Sequence, residues 1–229
     1  MCRPPFRPSA SFQHSLNLYA IGASAAGVAL LALAPPAEGK VVYTPAHMKL
    51  TGEYTPIDLN HDGTNDFAFW IYGGHSTSIA TSFLAIYALP GNAAVGTAVG
   101  WFRNAVALKK GNRVGPHRLF NGTNAGQMAN HITKLETSHH NTYWAGQWAN
   151  GGKGLKNRYL GFKFLISNQV HYGWARVSVR INGKAFTGTL NGYAYETIPN
   201  KPITAGRTKG PDVVTQHTGT LGALAAGSK

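Results

Sequence analysis

Between residues 159 and 196 the chain spells out strands and turns in close succession, and this stretch limits the fold more than any other. Tyr159-Leu160-Gly161-Phe162-Lys163-Phe164-Leu165-Ile166 is rich in the aromatic and branched residues that fit a pleated surface. Ser167-Asn168-Gln169 supplies a turn. Residues 171–180 follow, with Trp174, Val177 and Val179 set against Arg176, Ser178 and Arg180 in a partial period of two. Asn182-Gly183 is the pair favoured in a type I′ hairpin, where both central positions need positive φ. Residues 184–190 and 193–196 complete a meander. A chain with this many hairpins must bury one face of an antiparallel sheet.

The rest of the chain has the same character. Glycine supplies 28 of 229 residues, charged residues only 13%, and long helical periodicity is hard to find. Strands are expected at 41–43, at 67–72 directly after an Asp/Asn/Gly loop, and at 82–89, where Pro90-Gly91-Asn92 stops the run. Residues 91–157 are less regular, with one short helix expected around 125–132. Short strands, frequent turns and little helix predict a mainly β fold: a single antiparallel β-sandwich, jelly-roll-like, over residues 40–204. After Pro202 the composition turns to Gly, Thr, Ala and Lys, so residues 205–229 read as a flexible C-terminal tail.

The N-terminus reads as a signal peptide, residues 1–39. Arg3 and Arg7 precede an uncharged apolar run at 16–34, Pro35-Pro36 breaks it, and Ala37-Glu38-Gly39 puts small residues at −3 and −1 before Lys40. The run also approaches the roughly 18–20 apolar residues of a membrane-spanning helix, so a retained anchor is the alternative. Its many small residues favour cleavage and export to the periplasm, cell surface or medium. No later stretch is long and apolar enough to span a membrane. The sole cysteine, Cys2, leaves with the signal, and the remaining chain must rest on packing, hydrogen bonds or a metal.

The formal charge of +13 suits an anionic polymer or polysaccharide as partner, because such a field concentrates polyanions near the surface. Lys109-Lys110 is the only adjacent basic pair, and no nucleic-acid-binding motif accompanies it. A basic surface with no dedicated partner fits equally.

One motif carries chemistry. Asp58-Leu59-Asn60-His61-Asp62-Gly63-Thr64-Asn65-Asp66 follows D-x-N-x-D-G-x-x-D. Calcium takes six to eight hard oxygens, and a tight loop turns positions 1, 3 and 5 toward one centre, with glycine at position 6 for the sharp bend. Here Asp58, Asn60, Asp62, Thr64 and Asp66 are the expected ligands of a structural Ca2+. Three of the chain's four aspartates stand in this loop, the fourth being Asp212. Position 12 is Phe69 rather than the glutamate of an EF-hand, so a loop between strands, of modest affinity, is expected. The same residues also make an ordinary polar turn.

Other chemistry is weakly signalled. His139-His140 would point to opposite faces of a strand, and His171 reads as a packed or capping residue. Outside the loop only Glu53, Glu136, Glu196 and Asp212 could pair as a glycosidase dyad, and they are far apart in sequence. No G-x-S-x-G elbow or cysteine nucleophile is present, so no catalytic residue is assigned. The segment Tyr143-Trp144-Ala145-Gly146-Gln147-Trp148 offers a sugar-stacking platform through Tyr143, Trp144 and Trp148, with Trp101 and Tyr159 as further candidates. Core packing is the competing role of the same aromatics.

The segments Tyr159-Leu160-Gly161-Phe162-Lys163-Phe164, His171-Tyr172-Gly173-Trp174-Ala175-Arg176-Val177-Ser178-Val179 and Gly192-Tyr193-Ala194-Tyr195-Glu196-Thr197 give the chain a resemblance. It is similar to uncharacterised secreted bacterial proteins with a YxGFKF…HYGWARVSV…GYAYET pattern, many of which end in a PEP-type sorting tail. The start at residues 40–47 and the loop at 58–66 look similar to the same group. The resemblance implies a β-sandwich and an exported life, and brings no activity with it. Residues 212–229 lack the Pro-Glu-Pro, apolar span and terminal arginines of the sorting tail. The resulting expectation is a non-enzymatic, calcium-stabilised protein of the cell surface or extracellular matrix. A carbohydrate-binding module and a glycan-acting hydrolase stand as alternatives.

Overall fold

The computed structural model describes residues 39–216, apart from 51, 53, 100–101, 123–125 and 136–139. The strands in chain order are β1 (Val41–Leu50), β2 (Thr55–Ile57), β3 (Phe67–His75), β4 (Ile79–Ala88), β5 (Ala93–Val99), β6 (Phe102–Ala105), β7 (Arg113–Val114) and β8 (Phe120–Asn121). There follow β9 (Gly126–Leu135), β10 (His140–Ala145), β11 (Leu155–Ile166), β12 (Gln169–Asn182), β13 (Ala185–Glu196), β14 (Ile203–Thr204) and β15 (Val213–Thr215). Among the described residues there is no α-helix, and none long and apolar enough to cross a membrane.

The mainly β expectation is met. Eleven strands follow one hydrogen-bonded path, β15-β1-β13-β12-β11-β5-β6-β9-β4-β3-β2, with β10 beside β9 and β8 beside β5. The path turns at β5, whose Ala93 and Ala94 pair with β11 while Gly96 to Val99 pair with β6. Its two arms then share a core: Phe67 and Phe69 of β3, Leu84 and Ile86 of β4 pack with Leu160, Phe162 and Phe164 of β11 and with Val177 of β12. Phe67 stacks on Phe162 with ring centroids 4.1 Å apart. Pairing is antiparallel except between β1 and β15 and at one β6–β9 pair, Asn104 with Gln127.

The central strands β11, β12 and β13 are buried on both faces. Tyr159, Tyr172, Trp174 and Ala194 form a second core with Val41, Leu108, Val114 and Ile203, beneath the small β7–β14 ladder. This double burial explains why residues 159–196 show only partial alternation.

Three sequence expectations are corrected. Where a helix was expected around 125–132, the described residues form strand β9 (Gly126–Leu135): it buries Asn130, His131 and Thr133 beside Met128 and Ala129, so no apolar stripe marks its period. The type I′ turn lies at Ser167-Asn168, both with positive φ, between the paired Ile166 and Gln169. Asn182 instead pairs with Ala185, and Gly183 alone carries positive φ (58°), the pattern of a type II′ turn. Residues 205–216, read as the start of the tail, lie along the fold. Val213–Thr215 pair with β1, and the amide of Gln216 donates to the carbonyl of Tyr43 at 2.8 Å. The signal segment 1–38 and residues 217–229 lie outside the described residues.

Candidate metal centre

The loop at 58–66 joins β2 to β3. The pair Ile57–Phe67 closes its base, and the Asp66 amide donates to the Ile57 carbonyl at 2.8 Å. Leu59, fully buried, pins one side into the core. Gly63 has φ +88°, the conformation for which glycine was expected at this point. His61 also lies in the left-handed region, at φ +60°.

The carboxylates organise the loop's backbone. Asp58 Oδ1 accepts from the amides of His61 (2.7 Å) and Asp62 (3.3 Å), and its Oδ2 from that of Gly63 (2.8 Å). Asp62 accepts from the Thr64 amide and from the Asn60 side-chain amide, both at 2.8 Å. Asp58, Asn60, Asp62, Gly63 and Thr64 are therefore one connected cluster. Asp66 is turned to the base of the loop: Oδ2 accepts from the Leu59 amide at 2.8 Å, and Oδ1 lies 3.3 Å from Asn92 Nδ2.

These surroundings set the charges. Burial pushes the Asp66 carboxyl up to about 6, against the Leu59 amide, with the neighbouring Asp58 and Asp62 charges adding to the rise. Asp62 is held below its ordinary value, first by the Asn60 amide and then by the Thr64 backbone. Burial also raises Tyr193, to about 12, and Tyr195, with the Asp58 charge contributing to both.

Asn60 carries the most telling atom. Its Nδ2 is bonded to Asp62, but its Oδ1 is buried with no hydrogen-bond partner. A buried oxygen without a donor is a standing cost that a cation removes. The carboxylates of Asp58 and Asp62 and the Asn60 Oδ1 are hard oxygens, the ligand type that Ca2+ and Mg2+ take. Among the described residues, no three His, Cys, Asp or Glu side chains are gathered closely enough to hold a metal alone. A cation here would depend on Asn60 and backbone carbonyls as well as carboxylates.

Sequence reasoning missed the residues that hold the loop in place. Asn92 Nδ2 donates to the Asp66 carbonyl at 3.1 Å, and its Oδ1 accepts from the Leu165 amide at 3.1 Å, so it ties the loop to β11. Thr44 and Tyr193 hold His61. Nothing local in the sequence marks these three, since each acts across a long stretch of chain.

The aromatic candidates do not converge. Trp148 is fully buried and donates Nε1–H to the Ala105 carbonyl at 3.2 Å, so it cannot stack on a sugar. Trp144 is half-buried against His131 (centroids 4.4 Å) and edge-on to Phe186. Tyr143 is exposed, and Tyr159 is buried against Trp174. Trp101, Glu53, Glu136 and His139 lie outside the described residues. A different group forms on β3 and β4, where Trp70 packs on Tyr72, Phe83 and Tyr87 at 5.0–5.4 Å. The spacing 70/72 and 83/87 is its only signal in the sequence, since residues 67–72 form one unbroken run of β-formers.

The remaining charged candidates have structural partners. Buried Glu196 pairs with Lys201 at 3.1 Å and accepts from the Ile198 amide. Asp212 pairs with Arg207. His171 is buried with Nδ1 2.9 Å from the Glu196 carbonyl. No family model matches the chain, and no curated protein or solved structure matches it.

Proposed function

We propose that residues 58–66 take up one Ca2+ as a structural ion, in an exported, non-enzymatic protein that works at a cell surface or in an extracellular matrix. The observation that carries the metal reading is Asn60 Oδ1, a buried oxygen without a donor at the third position of a D-x-N-x-D-G loop. Three aspartates within nine residues repel one another unless a cation neutralises them. Export is supported by the N-terminal charge and apolar pattern. The test is calorimetric titration with calcium alongside thermal melts, for the wild type and Asp62→Ala. Saturable uptake that raises the melting temperature and is lost in the variant supports the site. No heat and no shift at millimolar calcium returns the loop to a polar turn.

A second reading, carbohydrate binding, is favoured by the aromatic group on β3 and β4, whose Tyr72 is 39% exposed, rather than by Trp148. Hydrolase chemistry has less support, because Glu196 and Asp212 are each committed to an ion pair.

A further inference from the structure

We propose that the basic cleft beside β7 binds the carboxylates of an acidic polysaccharide, a polyuronate. The cleft consists of two adjoining hollows of about 390 and 420 Å³ that share Pro116 and Arg118. Arg113 and His117 line the first, Lys163 the second, and among the described residues no Asp or Glu lines either. Both ion pairs among the described residues, Lys201–Glu196 and Arg207–Asp212, lie outside this cationic set. The volumes of these open hollows fall within the range of ligand sites, and the charge of the whole chain, +13, draws polyanions toward them.

The cleft is built rather than incidental. The pairing of Ile203 with Val114 holds its rim, and Gly115 lies so close to Pro202 that an added Cβ would come within 2.7 Å of the proline ring. Arg118 donates Nε–H to the Arg113 carbonyl at 2.9 Å. That bond fixes the guanidinium plane and leaves the Nη edge for the two parallel bonds by which arginine grips a carboxylate.

The apolar lining favours a sugar chain over a nucleic acid. Single-stranded nucleic acids gain about 1–3 kcal/mol per base by stacking on open aromatic faces. Here Phe120 is stacked on Tyr172 (5.9 Å) and has the Lys163 ammonium 5.6 Å from its centroid, while Tyr172 itself is buried. Beside the His117 imidazole and the part-covered Phe120, the most open apolar surface is aliphatic: Leu119, 59% exposed, and the rings of Pro116 and Pro202, surfaces for the C–H faces of a pyranose.

The test is calorimetric titration of the full chain with oligogalacturonate in EDTA, so that the calcium loop plays no part. The fully methyl-esterified oligomer, oligo-dT and inorganic phosphate are run in parallel. Saturable binding of the acid form, weakened at least tenfold by the ester, by Arg118→Gln and by Lys163→Gln, but unchanged by Arg180→Gln, is the expected result. Equal binding of acid and ester overturns the proposal. So does tighter binding of oligo-dT or phosphate, or binding that survives both cleft variants, or no binding at all. Thermal melts of Arg118→Gln and Lys163→Gln separate lost binding from lost folding.

Discussion

The imidazole of His61 and the phenol of Tyr193 meet at 3.3 Å between Nε2 and OH, across 132 residues of chain. The same Nε2 lies 3.0 Å from Thr44 Oγ1, and the two rings sit 5.7 Å apart. The middle of the acidic loop is thereby fastened to β1 and β13, the neighbouring strands of the other arm of the sheet. A loop held at its middle as well as at its base presents its oxygens in one arrangement, which lowers the ordering cost of taking up a cation.

Replacing His61 therefore weakens the fold and the loop together. His61→Ala removes contacts to Thr44 and Tyr193, both largely buried. At about 0.5–1.5 kcal/mol for each hydrogen bond, the expected loss is about 1–3 kcal/mol in urea denaturation. His61→Asn tolerates the left-handed backbone as well as any non-glycine residue, so a similar loss in that variant assigns the effect to the imidazole. Stability within about 0.3 kcal/mol of wild type in both would mean that the contact carries no weight.

Asp66 makes the metal-free protein sensitive to acid in an unusual direction. Its carboxyl is raised from 3.8 to about 6 by burial, so between those values the folded state holds a proton that the unfolded chain has released. Stability then falls as pH rises from about 4 to about 6, and stays at the lower level above that. Melts in EDTA across this window should show the decline from this group, and Asp66→Asn, which does not ionise, should remove it. Calcium favours the ionised carboxylates, so saturating calcium should flatten or reverse the trend. A variant whose melting curve keeps the wild-type slope would place its origin elsewhere.

The sequence carried most of the fold where polar and apolar residues follow backbone rules, and little where they do not. Residues 159–166 and 171–180 were legible because β-formers fill them and turns bound them. Residues 126–135 were not, since Asn130, His131 and Thr133 are buried there through partners on neighbouring strands: Thr81 bonds Asn130, Trp144 packs at a tilt on His131, and Thr142 bonds Thr133. The loop at 58–66 was legible as a motif because its spacing is local. Its anchors, and the placing of Trp148 in the core against the exposed Tyr143, were not, because burial is decided by strands distant in sequence.

That placing has a direct consequence for the aromatic segment. Trp148→Ala removes a fully buried indole with a satisfied N–H, and about 3–5 kcal/mol of stability should go with it. Tyr143→Ala, at a side chain 43% exposed, should change stability by no more than about 0.5 kcal/mol. Chemical denaturation of the two variants side by side reads the difference directly. Comparable losses would contradict the positions of both residues.

Gly161, the glycine between Leu160 and Phe162 in β11, owes its identity to space rather than to backbone conformation. A Cβ built there would lie 2.7 Å from Val95 Cγ2, 2.9 Å from Val114 Cγ2 and 3.1 Å from Leu108 Cδ1. All three belong to the second core, each no more than 2% exposed, so none can swing into solvent to make room. Gly161→Ala should therefore destabilise by about 1–3 kcal/mol, the ordinary cost of overpacking, despite the better strand propensity of alanine. The double variant Gly161→Ala with Val114→Ala makes room at the crowded contact and should recover part of that loss relative to the sum of the two single changes. Additive losses in such a double-mutant cycle would show that the crowding does not pass through Val114.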